Sequence, residues 1–224
     1  MQAIISAPFQ PLLDPSPQPF LLISPNITYK SITIGNVELL KSLNQELFPV
    51  PYPDAYYATT MRVELTDFCK LIYVDDVPVG QITCTFKPSE REGEVRLYMM
   101  LMGILPSYRS LGIGGRACRT ILEAAEAHNR RVKLLRKPHY WEEDRCTSSS
   151  HEISTLPGDI VSQSFTLPIT SLFMHVHVLN TAARRLYERH GFTERKRIEN
   201  FYRRRGPEDT NIKDAWLFER SLFI

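Results

Sequence analysis

Two glycines beside a basic residue mark the segment best suited to hold a charged ligand. The segment Arg109-Ser110-Leu111-Gly112-Ile113-Gly114 lies between an apolar run, Leu97 to Leu105, and a helical pattern, Gly115 to His128. Glycine lets the backbone turn tightly and approach a ligand closely. Free amides of the turn and of the first helical turn, with the positive end of the helix dipole, then form an anion site. The pattern predicts a bound pyrophosphate; the alternative is a tight strand-to-helix turn that binds nothing.

Two common nucleotide-binding motifs do not fit this loop. Position 117 is Ala where a dinucleotide-binding motif has its third glycine, and no Lys-Ser or Lys-Thr follows the second glycine as in a P-loop. The Arg-x-x-Gly-x-Gly form instead resembles the acetyl-CoA loop of the GCN5-related N-acetyltransferases, the GNAT superfamily. Residues 180–192 resemble the second hallmark of that family, N-x-x-A-x-x-x-Y-x-x-x-G-F, and follow the first in the family's order.

Four shorter segments resemble the catalytic subunits of N-terminal acetyltransferases of the NatE type. They are Leu47-Phe48-Pro49-Val50-Pro51-Tyr52, Arg96-Leu97-Tyr98-Met99-Met100, Met174-His175-Val176 and Asn200-Phe201-Tyr202. The resemblance covers residues 31–130 and 170–222. It implies an α/β protein of GNAT fold, in which a single domain has a mixed central sheet with helices on both faces.

The resemblance also implies acetyl-CoA as co-substrate and no metal. The residues that it assigns to cofactor binding are Met100, Leu101, Met102, Arg109, Ser110, Leu111, Gly112, Ile113, Gly114, Gly115, Asn180 and Tyr187. The backbone of Met100 to Met102 would hold the acetyl carbonyl and pantetheine, while the methionine side chains fit the core equally well. Helix capping alone would also explain Asn180.

Acetyl transfer to an amine requires loss of an amine proton, stabilisation of the thioester oxygen and tolerance of the leaving thiolate. The resemblance implies that Tyr98 and His175 handle the proton through an ordered water, and that Tyr187 stabilises or protonates the thiolate. A strand aromatic, a hydrogen-bonded core histidine and a packed ring are the structural alternatives. Cys84 and Cys118 are interpreted as small core residues rather than nucleophiles.

The substrate site implied by the resemblance is largely aromatic. Its residues are Phe48, Pro49, Val50, Tyr52, Tyr98, Met100, His175, Phe201 and Tyr202. Such a wall favours an apolar first residue, above all Met, although a hydrophobic plug under a surface loop would look similar. The implied activity is direct acetyl transfer, in a ternary complex, to the N-terminal α-amine of chains that begin with Met followed by apolar or assorted residues. The alternatives are a lysine or small-amine acetyltransferase and a weakly active CoA-binding subunit of a ribosome-associated complex.

Two features depart from the NatE pattern. His177 stands where those enzymes have Gln, and it shares a strand face with His175. No third metal ligand accompanies this pair. The run Arg203-Arg204-Arg205 places Arg205 at an apolar family position, which leaves the preference beyond the first substrate residue open. The run reads as a solvated face or as a phosphate contact with ribosomal RNA.

Composition sets the broad class. The chain has 224 residues, 43% of them hydrophobic, and a net charge of +2, which does not indicate sequence-specific nucleic-acid binding. Four cysteines without a C-x-x-C pair suggest reduced thiols and a cytoplasmic protein, with the nucleus as a second compartment. No apolar run is long enough to span a bilayer. The expected partners are Met-initiated peptides, the auxiliary and catalytic subunits of the NatA complex and the ribosome.

Periodicity and breaker residues predict the elements that position these groups. Residues 1–30 read as a Pro-rich flexible arm, residues 31–222 as the domain, and residues 129–168 as a partly disordered insertion before the fifth strand, with a lid or docking loop as the alternative. The predicted strands are 32–34, 68–74, 79–86, 95–102, 172–178, 192–198 and 215–222. The predicted helices are 36–46, capped by Asn36, 54–60, 115–128, and 181–190, capped by Asn180 and ended by Gly191.

Overall fold

A computed structural model describes residues 25–48, 50–135, 164–202 and 213–222 of the chain. Its helices are α1 (Val37–Leu47), α2 (Asp54–Thr60), α3 (Ile113–Leu135) and α4 (Thr181–Arg189). Its strands are β1 (Ile27–Ser31), β2 (Lys70–Val74), β3 (Val77–Pro88), β4 (Val95–Ile104), β5 (Ile169–His177), β6 (Thr193–Ile198) and β7 (Ala215–Ser221). The strands form one sheet in the order β1-β2-β3-β4-β5-β7-β6, in which β4 and β5 run parallel and the other neighbours antiparallel.

Helices cover both faces of this sheet. On one face, Asn44 of α1 accepts a hydrogen bond from Gln81 of β3, and the Tyr56 hydroxyl of α2 lies 3.0 Å from the Thr83 hydroxyl. On the other face, α4 contacts β4 through the Tyr187 hydroxyl and the Met99 sulfur. Because side chains alternate along a strand, the buried core is divided between the two faces. The predicted α/β class and mixed sheet are therefore confirmed.

The sheet opens between its two parallel strands. β4 pairs with β5 only from Val95 to Tyr98, although β4 continues to Ile104 and β5 to His177. Beyond Tyr98 the backbone of β4 pairs with β3 alone, and Met100 is an extra residue that forms a bulge in that pairing. The diverging strands leave a gap in the middle of the sheet, where a ligand could reach from one face to the other.

The first strand lies earlier in the chain than predicted. The first strand is Ile27–Ser31, paired with β2, and not residues 32–34; it lies partly inside the predicted arm of residues 1–30. The chain turns at Thr33, whose backbone amide donates to the Asn36 side chain at 2.8 Å, while the side-chain NH2 of Asn36 donates to the carbonyl of Ser31 at 2.9 Å. Asn36 therefore fixes the turn and its side chain does not cap α1.

The third helix is longer than predicted and includes the first residues of the predicted insertion. Helix α3 continues to Leu135, since Asn129 and Val132 are buried. The Asn129 side chain donates to the carbonyl of Ile169 at 2.8 Å and accepts from its amide at 2.7 Å. In the sequence, Asn129 marks the end of the apolar face of the helix. In the structure, its side chain joins α3 to β5 by two hydrogen bonds. Residues 136–163 lie outside the described part of the chain, and β5 starts at Ile169 rather than at residue 172.

The ends of α4 agree with the sequence. The Asn180 side chain accepts a hydrogen bond from the amide of Ala183 at 3.0 Å, which confirms the predicted cap. Gly191 follows the helix with φ of +77°, the left-handed conformation that commonly ends helices. Helix α2 also has its predicted bounds. These local signals were sufficient because they depend on neighbouring residues only.

Candidate active site

The glycine loop and α4 enclose one cavity of about 680 Å³. Most of the predicted cofactor residues line it: Met102, Arg109, Ser110, Gly112, Ile113, Gly114, Gly115 and Asn180. Leu47 and Phe48 line the same cavity, so it extends to the loop that follows α1. One space therefore joins the predicted cofactor site to the predicted peptide wall.

The loop has the backbone conformation that an anion site needs. Gly112 has φ of +76° and Ser110 has φ of +65°, so the chain curls before α3 begins. The Arg109 Nε donates to the carbonyl of Ile104 at 2.9 Å and ties the start of the loop to the end of β4. Gly112, Ile113, Gly114 and Gly115 line the cavity. The first amides of a helix have no partner within that helix, so the start of α3 can offer donors to an anion there.

Tyr98 and His175 meet where β4 and β5 separate. The Tyr98 hydroxyl lies 3.1 Å from His175 Nδ1. The Tyr98 ring stacks on Phe173 with ring centroids 4.9 Å apart, and the His175 ring stacks on Phe201 at 4.0 Å. Each ring is thus held between a hydrogen bond and an aromatic neighbour, which fixes the pair in one orientation.

The environment keeps both groups of this pair uncharged near neutral pH. Burial lowers the pKa of the His175 imidazole, and the nearby Lys196 ammonium lowers it further. Burial raises the pKa of the Tyr98 hydroxyl. A neutral imidazole can accept a proton, and a protonated tyrosine can donate a hydrogen bond. The geometry therefore suits general-base chemistry on an amine that enters this side of the sheet.

Aromatic side chains surround the same region. Tyr52 contacts Phe48 edge-on at 6.0 Å between ring centroids and Tyr56 at 4.9 Å. The Tyr202 hydroxyl donates to the carbonyl of His175 at 3.5 Å. Burial raises the pKa of Tyr202 to about 12, and the hydroxyls of Tyr98 and Tyr52 add to the shift, so the three phenols lie close together. This cluster brings together predicted substrate residues from the segment between α1 and α2, from β4 and β5, and from the segment that follows β6.

The remaining predicted site residues are placed as follows. Tyr187 is 6% exposed, its ring packs against Phe192 and Phe218, and its hydroxyl donates to the Met99 sulfur at 3.6 Å. The described geometry is that of a packed core ring, and its action on a thiolate stays a prediction. Met100, Leu101 and Leu111 are not among the cavity residues, and Val50 is largely exposed. Pro49 and the run Arg203–Arg205 lie outside the described residues.

His177 points to the same face as His175 but has its own contacts. Its Nδ1 accepts a hydrogen bond from the amide of Leu179 at 3.2 Å, and its ring lies 5.4 Å from the ring of Tyr202. Across the described ranges, no group of three or more His, Cys, Asp or Glu residues could hold a metal ion. A search of the same ranges found no helix with the length and apolar character to cross a membrane.

Sequence reasoning missed several residues of this region. Arg185 and Arg189 of α4 line the cavity, and Lys196 acts on the pKa of His175. The spacing of four residues between the two arginines was a visible signal, since it places both on one side of a helix. Lys196 carried no such signal, because only the pairing of β6 with β7 brings it near β5.

A sheet that opens between two parallel strands, with a glycine loop at the start of a helix beside the gap, defines a class of acyltransferases. Residues 37–139 match the model of the Acetyltransferase (GNAT) family. The matched part of the chain therefore belongs to an acetyltransferase domain of the GNAT type.

Two relatives and one solved structure are similar to the chain over most of its length. N-alpha-acetyltransferase 50 of Danio rerio is 26% identical over 181 residues, which cover 81% of this chain and 83% of the relative. A probable N-acetyltransferase of Drosophila melanogaster, named san, is 27% identical over 187 residues, or 84% of this chain and 79% of the relative. A structure of Arabidopsis thaliana Naa50 with the bisubstrate analogue CoA-Ac-MVNAL shares the fold with a TM-score of 0.62, at 24% identity, over 88% of this chain and 99% of that one.

Proposed function

We propose that this protein is an N-terminal α-amino acetyltransferase that uses acetyl-CoA and accepts polypeptides beginning with Met. The observation that carries the proposal is the Tyr98–His175 pair, 3.1 Å apart, at the opening between β4 and β5. We place the cofactor in the glycine-loop cavity, which Met102 and Gly103 of β4 line beyond Tyr98, and the peptide against the aromatic cluster of Phe48, Tyr52 and Tyr202. Cofactor and peptide would thus approach the pair from different directions.

The cavity residues fit acetyl-CoA by charge and shape. Arginines and loop amides suit its phosphates, and the backbone of β4 beyond Tyr98 has no partner on β5 and is free to pair with the pantetheine amides. The similar structure that holds a CoA-linked peptide beginning with Met supports both the cofactor and the peptide class.

The proposed transfer is a direct one. The substrate ammonium loses a proton to the neutral His175–Tyr98 pair, through a water as the resemblance implies, and the free amine attacks the thioester carbon. A C–N bond forms, the C–S bond breaks and CoA leaves as a thiolate that takes up a proton. Preorganised donors near the thioester oxygen stabilise the charge that develops there. The aromatic wall of Phe48 and Tyr52 favours an apolar first side chain, which is the reason for proposing Met.

The deciding experiment compares two amines on one peptide framework. A peptide that begins Met-Leu and contains an internal lysine is offered with acetyl-CoA, beside the same peptide with a blocked N-terminus. We expect acetylation of the free α-amine and none of the blocked peptide. Transfer to lysine alone would contradict the proposed substrate and keep the acetyltransferase class. Absence of turnover with measurable CoA binding would contradict the enzymatic proposal and favour a subunit role.

The cofactor assignment has its own control. Gly114 lies in the first turn of α3, and a Cβ at this position would meet only the Leu186 side chain at 3.5 Å. Gly114→Ala should therefore fold and bind acetyl-CoA almost normally, whereas Gly114→Trp should fill the cavity and abolish binding. Equal acetyl-CoA affinity in the two variants would contradict the proposed cofactor site.

A further inference from the structure

The charged side chains that line the cavity are all positive. Three arginines line it, Arg109, Arg185 and Arg189, and none of its lining residues is Asp or Glu. Side chains of one sign around a cleft raise the local concentration of the opposite charge. The composition of the walls therefore points to a ligand with several negative charges.

The glycine loop can account for only part of such a ligand. Its curled backbone and the first turn of α3 offer amides to one diphosphate group. Arg109 belongs to this loop, since its Nε is bound to the carbonyl of Ile104. Arg185 and Arg189 come instead from α4, which packs against the first turn of α3 through Leu186 and His190. They form a second cationic wall beside the loop.

These two arginines differ from their neighbour on the same helix. Arg184 pairs with Glu188 at 2.8 Å and with Glu194 at 3.3 Å, and it does not line the cavity. In the described part of the chain, neither Arg185 nor Arg189 has a carboxylate within ion-pair distance. Residues four apart lie on one side of a helix with their Cβ atoms about 6 Å from each other. Two guanidinium groups without a carboxylate partner among the described residues therefore lie on the same side of α4, where they line the cavity.

We propose that Arg185 and Arg189 form a subsite for a phosphomonoester, namely the phosphate carried by the ribose of CoA. A phosphomonoester has about two negative charges at neutral pH and accepts charge-assisted hydrogen bonds from arginine. The subsite selects CoA over its analogue without this phosphate, while the loop holds the diphosphate that both share. The inference rests on the proposed function, because it assumes that CoA is the ligand.

The test measures the dissociation constants of CoA and dephospho-CoA by calorimetry. It compares the wild-type chain, the double variant Arg185→Gln/Arg189→Gln and the matched variant Arg184→Gln. We expect the wild type to bind CoA about tenfold more tightly than dephospho-CoA. The double variant should bring this ratio close to one without changing the affinity for dephospho-CoA. Arg184→Gln should keep the wild-type ratio, since its charge is already paired on the outer side of α4.

Three results would overturn the subsite. The arginines would be assigned to the diphosphate if the double variant weakened both ligands equally. No role would remain for them if the ratio were unchanged in the double variant, or if Arg184→Gln lowered it as much. Acetyl transfer assays separate the two proposals: a chain that acetylates peptides but does not distinguish the ligands refutes the subsite alone. A chain that binds neither ligand refutes the subsite and the proposed cofactor together.

Discussion

At the scale of single residues, the proposed chemistry depends on a neutral histidine held against a protonated tyrosine. Phe173 and Phe201 hold the two rings by stacking, and the hydrogen bond between the Tyr98 hydroxyl and His175 Nδ1 sets their relative orientation. Burial and Lys196 keep the imidazole uncharged. Phe173 positions the pair and Lys196 tunes it, since each acts on Tyr98 or His175 itself.

Replacement of the imidazole gives the first prediction. His175→Ala should lower kcat roughly 100-fold, since general-base assistance is of that size. The dissociation constant for acetyl-CoA should not change, because His175 is not among the cavity residues. Single-turnover assays and calorimetry measure the two quantities. A wild-type rate for the variant across the pH range would refute the role of His175.

The charge of Lys196 gives a second prediction. Lys196→Gln removes a cation that disfavours protonation of His175, so the pKa of His175 should rise. Because the base must be neutral to accept a proton, the acid limb of kcat/KM should move to higher pH. Arg195→Gln is the matched control, since Arg195 pairs with Glu219 at 3.4 Å and does not contribute to this shift. An acid limb that stays in place, or moves to lower pH, would refute the electrostatic link.

At the scale of elements, the site depends on how the glycine loop and α2 are held. The loop relies on backbone curvature at Gly112, while α2 relies on a partly buried polar contact with β3. A single substitution can alter the loop curvature or the α2–β3 contact. For each substitution, a similar residue elsewhere in the chain serves as a control.

Gly112 and Gly93 form a matched pair for the loop. Both have positive φ, +76° and +77°, and a Cβ at either would meet nothing within 4 Å. Alanine at either position should cost about 1 kcal/mol of stability from the left-handed backbone alone. Only Gly112→Ala should also weaken acetyl-CoA binding, because Gly93 lies in the β3–β4 hairpin. Urea unfolding and calorimetry measure the two effects; equal acetyl-CoA affinities in the variants would contradict the role of the curled loop.

The contact between α2 and β3 gives the next prediction. Tyr56→Phe removes the hydroxyl that lies 3.0 Å from Thr83 Oγ1 in a buried region and should lower the free energy of unfolding by about 1–2 kcal/mol. Because Tyr52 packs on Tyr56, the KM for peptide should rise while the KM for acetyl-CoA stays constant. Tyr57→Phe, which removes a hydroxyl from the adjacent residue, is the control. A KM change for acetyl-CoA alone would contradict this view of α2.

At the scale of the whole molecule, the sheet and α3 bury three thiols in one core. Cys69, Cys84 and Cys118 are free, and none is exposed. Burial raises the pKa of Cys69 and of Cys118 to about 12, and that of Cys84 well above its usual range. Thiols in this state are weak nucleophiles. An acetylated cysteine is therefore not expected on the path of the reaction.

Thiol labelling tests this view of the core. In a Cys146→Ser variant, a disulfide reagent at pH 8 should modify the native chain only as fast as the molecule unfolds, since each thiol must first be exposed. Labelling in urea should be complete within mixing. With absorbance as the readout, labelling in buffer should be slow and substoichiometric. Rapid labelling of the folded chain, or an acetyl group on a cysteine by mass spectrometry, would contradict it.

The sequence alone determined the features that depend on neighbouring residues. The curled loop at Gly112, the Asn180 cap and the Gly191 end of α4 follow from backbone sterics and short hydrogen bonds. The order of helices and strands follows from hydrophobic period. The predicted end of α3 was too early because the Asn129 side chain bonds to Ile169, which is 40 positions away in the sequence.

Tertiary structure decided which groups act together. Tyr98 and His175 are separated by 77 positions and meet only because β4 and β5 pair in one register and then diverge. The packing of α4 decided that Arg185 faces the cavity while Arg184 is paired outside, although the two are adjacent in sequence. Strand register and helix rotation are set by the burial of the whole core. Local patterns cannot fix them, because each depends on contacts that the chain makes only after it has folded.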